Sequence, residues 1–133
     1  MRKEIMFMLT LSLLIIVGIR FATPVSDTTK PIQPVVEWTV EDSKAYAQDK
    51  LFEWKHKQWM CLNKLWTKES NWRPNAYNKI KVMGKNAGGI PQLLGLDPKT
   101  PAPRQIDRGL SYIYNRYHTP CKAWEFFTKK GYY

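Results

Sequence analysis

The alternation of apolar and polar positions divides the chain into stretches of different kinds. The run from Ile5 to Ile19 is apolar on every face, follows Arg2 and Lys3, and stops at Arg20. From Thr23 to Val36 no period survives, and Pro24, Pro31 and Pro34 are interspersed with Ser26, Thr28 and Thr29 as in a linker. Periodicity begins after Trp38. Thr39 followed three residues later by Asp42 resembles a capping box, and Tyr46, Leu51 and Phe52 give a helix from about Val40 to Glu53 a loose apolar face. Trp54 to Lys57 turns into a second helix, in which Cys61, Leu62, Leu65 and Trp66 recur at helical spacing and which Asn71 and Pro74 end. Asn75 to Gly89 is polar and rich in Gly and Asn, a long loop or a short hairpin in which Ile80 and Val82 alternate with lysines. Gly89-Ile90-Pro91-Gln92 reads as a loop entering a short helix, with Pro91 near its first position. Ile106, Leu110, Ile113, Tyr114 and Tyr117, spaced by four, three, one and three, form the cleanest amphipathic helix. Thr119 as N-cap, Pro120 at the first position and Gly131 past the end delimit a last helix, with Cys121, Trp124 and Phe127 along one side. The elements predict a mainly α domain.

At 133 residues there is room for one small domain beside the N-terminal stretches. The fifteen residues from Ile5 to Ile19 fall short of the roughly 20 that span a bilayer. Residues 1–22 therefore read as a secretory signal, with a short membrane anchor through residues 5–19 as the alternative, 23–37 as the linker and 38–133 as the domain. Export gives Cys61 and Cys121 a meaning. In an oxidising compartment the only two cysteines favour a disulfide, whose loop closure is worth roughly 4 kcal/mol on the chain-entropy model, two buried thiols being the alternative. Such a bond would staple the last helix to the second. His56 and His118 show no ligand spacing with the cysteines, so no metal site is expected there. The net charge of +10 suits a polyanionic partner. With an export signal, that partner is an anionic wall or membrane surface sooner than nucleic acid, although the basic residues are scattered enough to be a solvated surface.

The candidate chemistry lies in Glu69. It follows Leu62 by seven residues, close to two turns of about 3.6 residues each, so its carboxylate shares the stripe of the leucines. Poor solvation and a nearby helix C-terminus both disfavour ionisation and raise the pKa. A carboxyl still protonated near neutrality is what a general acid needs to protonate the leaving oxygen of a glycosidic bond; the plain alternative is a solvated helix-end Glu. A conventional glycosidase also needs a second carboxylate, about 5 Å away for retention or about 6.5 to 9.5 Å for inversion. After Glu69 only Asp97, Asp107 and Glu125 remain, and each has a structural reading: a turn before Pro98, a helix start, and an exposed helix face.

Several residues come in one recognisable order: Cys61-Leu62, Leu65-Trp66, Glu69-Ser70, Trp72, Ala76, Asn78, Gly89-Ile90-Pro91-Gln92, Gly109-Leu110, Tyr112-Ile113, Arg116-Tyr117, Thr119-Pro120-Cys121 and Ala123-Trp124. Over Trp59 to Tyr133 the chain resembles the soluble lytic transglycosylase-like family of the goose-type lysozyme superfamily, and in particular its small secreted two-cysteine bacterial and phage members. The resemblance implies a lysozyme-like helical domain with a cleft, acting as a monomer without a cofactor on peptidoglycan glycan strands, at the bond after N-acetylmuramic acid. It implies Glu69 as acid/base, with Ser70 beside it and Gln92 lining the cleft. It further implies Asn78, Gly89, Ile90, Tyr112 and Trp124 as cleft or cleft-supporting positions, with Trp72 and Tyr77 as faces for sugar stacking. The chain departs from the pattern in carrying extra lysine-rich sequence between Asn78 and Gly89, and in having His118 where a glycine is usual. A hydrolytic muramidase, a wall-binding protein without turnover and a basic nucleic-acid binder are the competing expectations. A secreted, periplasmic or wall-associated location, with or without an N-terminal anchor, follows from the same reading.

Overall fold

A computed structural model describes residues 37–52 and 54–133. The signal or anchor expected at 1–22 and all but the end of the expected linker lie outside the described residues. The elements run α1 (Val40–Lys50), α2 (His56–Ser70), β1 (Tyr77–Val82), β2 (Lys85–Gly88), β3 (Leu93–Leu94), α3 (Ala102–Tyr117) and α4 (Pro120–Lys130). The described fold is thus mixed, with four helices and a small antiparallel sheet in the order β1-β2-β3. None of the described helices is long and apolar enough to cross a membrane.

Local chemistry fixes most of the helix ends. At α1 the Asp42 N–H donates to Thr39 Oγ1 at 3.0 Å and the Thr39 N–H donates back to Asp42 Oδ2 at 3.0 Å, closing the capping box. The helix stops at Lys50, short of the expected Glu53, where the backbone tightens into a turn: the Phe52 N–H donates to the Asp49 carbonyl at 3.0 Å and the Trp54 N–H to that of Leu51 at 2.7 Å, with Leu51 buried and Phe52 88% exposed. Thr39 to Lys50 docks on α3, where the Tyr46 hydroxyl donates to Asp107 Oδ1 at 3.1 Å. At α4, Thr119 accepts from the Lys122 N–H, Pro120 takes the first position, and Gly131 closes the helix in the left-handed region at φ 79°.

The core is assembled from Leu62, Leu65 and Trp66 of α2, Ile106 and Ile113 of α3 and Ala123 of α4, all fully buried. Helix α2 packs on α4, and the Cys61–Cys121 disulfide joins them with Cα atoms 4.9 Å apart. The bond fits an oxidising, extracytoplasmic compartment. Gly109 lets α3 approach α2, since a Cβ there would lie 2.6 Å from Trp66 Cζ2 and 2.8 Å from Pro91 Cβ.

Two expectations are corrected here. Asn71 and Trp72 adopt φ of 54° and 60°, which folds the chain sharply back after α2. Trp72 is carried into the core with no exposed surface, its Nε1 donating to Asn63 Oδ1 at 3.0 Å and its ring 5.1 Å from that of Trp66, so it offers no face to a sugar. The short helix expected from Pro91 is replaced by a tight turn. Gly89 at φ 73° and Gln92 at φ 50° reverse the chain and return Leu93 to pair with Gly88, and a residue in that left-handed region cannot continue a right-handed helix. The Asn75–Gly89 stretch resolves as a hairpin, β1 to β2, turned by Met83 and Gly84 with φ of 52° and 75°, as two-residue mirror-image turns require.

Candidate active site

Glu69 sits on the last turn of α2, two turns after Leu62, and the helix carries it to the edge of the core. Its carboxyl is half-buried, and loss of hydration raises its pKa from the ordinary 4.5 to about 7. It lines a pocket of about 420 Å³, with Asn78, Val82, Ala87, Gln92 and Leu94 on the sheet side and Tyr132 and Tyr133 beyond the Gly131 cap. Among the described residues, no other acidic side chain lines this pocket.

The turn across from Glu69 is held from below. The Ser70 hydroxyl donates to the Ile90 carbonyl at 2.6 Å, and the Ile90 N–H donates to Gln105 Oε1 at 2.8 Å. Gln105 is fully buried, and its Nε2 donates to the Pro74 and Thr100 carbonyls at 2.9 and 2.7 Å, tying three loops to one side chain. Gly89 is needed there because any Cβ would run into the Gln105 amide. Ser70, expected beside the acid, and Gly89 and Ile90, expected as cleft or cleft-supporting positions, are buried beneath the pocket, where they position the turn and do not present side chains to a ligand. Tyr133 completes the support, accepting from Trp66 Nε1 at 2.9 Å and donating to the Pro91 carbonyl at 2.7 Å. Burial, and then the neighbouring Glu69 charge, push its phenol well above the usual range, so it stays protonated.

Two side chains present unused hydrogen-bonding groups to the pocket. Gln92 Nε2 donates to the carbonyls of Gly89 at 2.9 Å and Ala76 at 3.3 Å, which fixes the amide orientation and leaves Oε1 as an acceptor. Asn78 Oδ1 accepts from the Ile80 N–H at 2.9 Å, leaving its Nδ2 as a donor. Gln92 holds φ 50°, the backbone strain that functional positions often carry.

Gln92, Leu94 and Tyr133 also line a larger groove of about 940 Å³, so pocket and groove adjoin along these residues. The far wall of the groove is the exposed face of α3, including Arg108, Ser111, Tyr112, Asn115 and Arg116. Tyr112 thus belongs to the groove, edge-on to Tyr133 with ring centroids 5.7 Å apart, and not to the Glu69 pocket. Tyr77 is half-exposed on β1 but lines neither cavity. Trp124 lines neither: it stacks on Phe127 at 5.6 Å along α4 and packs against the core, which removes it as a cleft residue.

The other acids named by the sequence are engaged. Asp97 Oδ1 accepts the Lys99 N–H at 2.8 Å in a turn, Asp107 accepts the Tyr46 hydroxyl, and Glu125 pairs with Lys122 and Lys129 at 3.2 and 2.8 Å on the exposed side of α4. Sequence reasoning passed over Gln105, Tyr132, Tyr133, Val82 and Leu94. A glutamine in the apolar stripe one residue before Ile106 was the available signal for Gln105; the tyrosines, placed by the turn at Gly131, carried none.

No family model matches the chain, and no curated protein or solved structure resembles it at a significant level. The site is accordingly read from its own residues.

Proposed function

We propose that this chain is a peptidoglycan lytic transglycosylase with a lysozyme-like domain, cutting the β-1,4 bond after N-acetylmuramic acid with Glu69 as acid and base. The observation that carries the reading is a half-buried carboxyl of pKa about 7, the one acidic side chain among the described residues of its pocket, beside a larger groove that shares Gln92, Leu94 and Tyr133 with it. Near neutrality such a group exists in both protonation states, which suits a step that first gives and then takes a proton. Glu69 donates its proton to the glycosidic oxygen as the C1–O bond breaks, leaving a hydroxyl on the departing sugar. The muramic 6-hydroxyl oxygen then bonds to C1, its proton passes to the Glu69 carboxylate, and a 1,6-anhydro ring closes. An internal nucleophile removes the need for a carboxylate to activate water, in keeping with the one acidic side chain among the described residues of this pocket. Gln92 and Asn78 supply one acceptor and one donor for sugar hydroxyl and acetamido groups.

The test is digestion of purified peptidoglycan by the disulfide-bonded protein, with released fragments weighed by mass spectrometry. Fragments one water lighter than hydrolysis products are expected, with turnover falling as pH rises above about 7. Glu69→Gln keeps the shape but has no titratable proton and should lower turnover at least about 10²-fold. Ordinary reducing ends would instead identify a muramidase hydrolase, and a folded protein that binds wall polymer without releasing fragments would identify a wall-binding protein. Substantial activity in Glu69→Gln would remove the carboxyl from the mechanism.

A further inference from the structure

The groove beside the Glu69 pocket carries charges that the bond-breaking step does not use. Along α3, Arg108, Tyr112 and Arg116 follow one another at intervals of four residues, so they form one stripe, and all three line the groove. Arg108 and Arg116 are about 12 Å apart along the helix axis, at roughly 1.5 Å per residue. Neither forms a salt bridge with the described residues, and both are exposed. Asp107, the one acidic side chain among the described residues of the groove wall, already accepts the Tyr46 hydroxyl. The Arg116 guanidinium is also held in place, lying 5.9 Å over the Tyr112 ring and 5.7 Å over that of Tyr117. Ser111 and Asn115 add neutral hydrogen-bonding groups on the same wall.

Resting on the transglycosylase reading, we infer that Arg108 and Arg116 are specificity-determining residues that bind the carboxylates of the peptide substituents on the strand being cut. Three features select this ligand. A planar guanidinium matches a carboxylate with two parallel hydrogen bonds. The groove adjoins the acid's pocket through Gln92, Leu94 and Tyr133, so what it holds must be attached close to the scissile bond. Two cations separated by about 12 Å suit a substituent bearing more than one carboxylate, which a neutral glycan lacks. The enzyme would accordingly discriminate between strands with free carboxylates and those in which they are masked.

Soluble, uncrosslinked peptidoglycan strands, first freed of phosphate polymers, provide the test. One portion keeps its peptide carboxylates, and in the other they are converted to primary amides with carbodiimide and ammonium, which preserves the peptide and removes the charge. The full chain should show kcat/KM at least about tenfold higher on the free-carboxylate strands, since each charge-assisted contact is worth a factor of about ten or more. In R108Q/R116Q that ratio should fall to near one, and R108K/R116K should restore part of it. A ratio near one for the unaltered protein, or an unchanged ratio in R108Q/R116Q, would overturn the assignment while leaving the Glu69 chemistry intact. Absence of fragments from both strand types would overturn the transglycosylase reading itself, and this assignment with it.

Discussion

The wall of the pocket that carries Glu69 and the wall of strands facing it are built in opposite ways. Helix α2 buries Leu62, Leu65, Trp66 and Ser70, is bonded to α4 through Cys61 and Cys121, and is backed by the fully buried Trp72. Strand β1 is exposed at every position, and Ile80 and Met83 near its tip are 73% and 90% exposed. The acid therefore stands on the part of the molecule that resists movement, where dehydration can hold its pKa up. The hairpin contributes contacts whose removal costs the fold little. On the proposed function, this difference would give chemistry to the helical wall and grip on the substrate to the sheet wall.

The largest effect that could break this comparison is reduction of the disulfide. Cys61 and Cys121 are 60 residues apart, and opening a loop of that length should cost about 4 kcal/mol of stability. Urea unfolding with and without reductant measures it. A loss below about 1 kcal/mol would mean that the helical wall does not depend on its staple.

The next effect lies in Glu69 itself. Its folded pKa of about 7 stands above the ordinary 4.5, so the native state holds its proton more tightly than the unfolded chain does. Below pH 4.5 both states are protonated and there is no penalty; as pH rises from there to about 7 the penalty for the buried charge develops, and above 7 it is complete. A shift of this size would correspond to roughly 3 kcal/mol for a group cut off from water. Solvent screening of a half-buried carboxylate lowers the expectation to about 2 kcal/mol. Glu69→Gln should thus be more stable than the unaltered protein by about 2 kcal/mol at pH 8, with the gap closing near pH 4.5, as read from urea midpoints at the two pH values. Equal midpoints throughout would show that Glu69 is solvated and that its wall is not dry.

What could be read in the sequence follows the same division. Thr39 with Asp42, Thr119 with Pro120, and Gly131 are capping signals that act within a few residues, and all three mark helix ends in the fold. The placement of Glu69 on the leucine stripe is likewise a matter of helical period, and its burial follows. Trp72 was misread because its direction depends on positive φ at both Asn71 and Trp72, which only the surrounding core enforces. The Gln92 turn is fixed by Ser70 and Gln105, contacts made across 20 and 15 residues, so no local pattern announces it. Tyr133 reaches the site by bonding to Trp66 and Pro91, 67 and 42 residues away. Long-range hydrogen bonds, and not periodicity, shaped the part of the site that sequence reasoning missed.

The smallest effect is the one that sharpens the comparison most. Val82 lines the Glu69 pocket from β1 and is 52% exposed, so it is in the position to touch substrate without being part of the core. Val82→Ser should leave the urea midpoint almost unchanged, within about 0.5 kcal/mol, because a half-exposed strand residue loses little on truncation. On the proposed function, the same change removes part of an apolar contact to the sugar, worth on the order of 1 kcal/mol, and should raise KM several-fold with kcat little altered. Ile80→Ser, which lies outside the pocket, provides the reference: neither stability nor KM should move. If Val82→Ser instead lowered stability as a core truncation does, by about 2 kcal/mol or more, the sheet wall would be structural and the division of labour would fail. If Val82→Ser also left KM untouched, Val82 would make no contact with the substrate, and the share of the grip proposed for β1 would rest on Asn78.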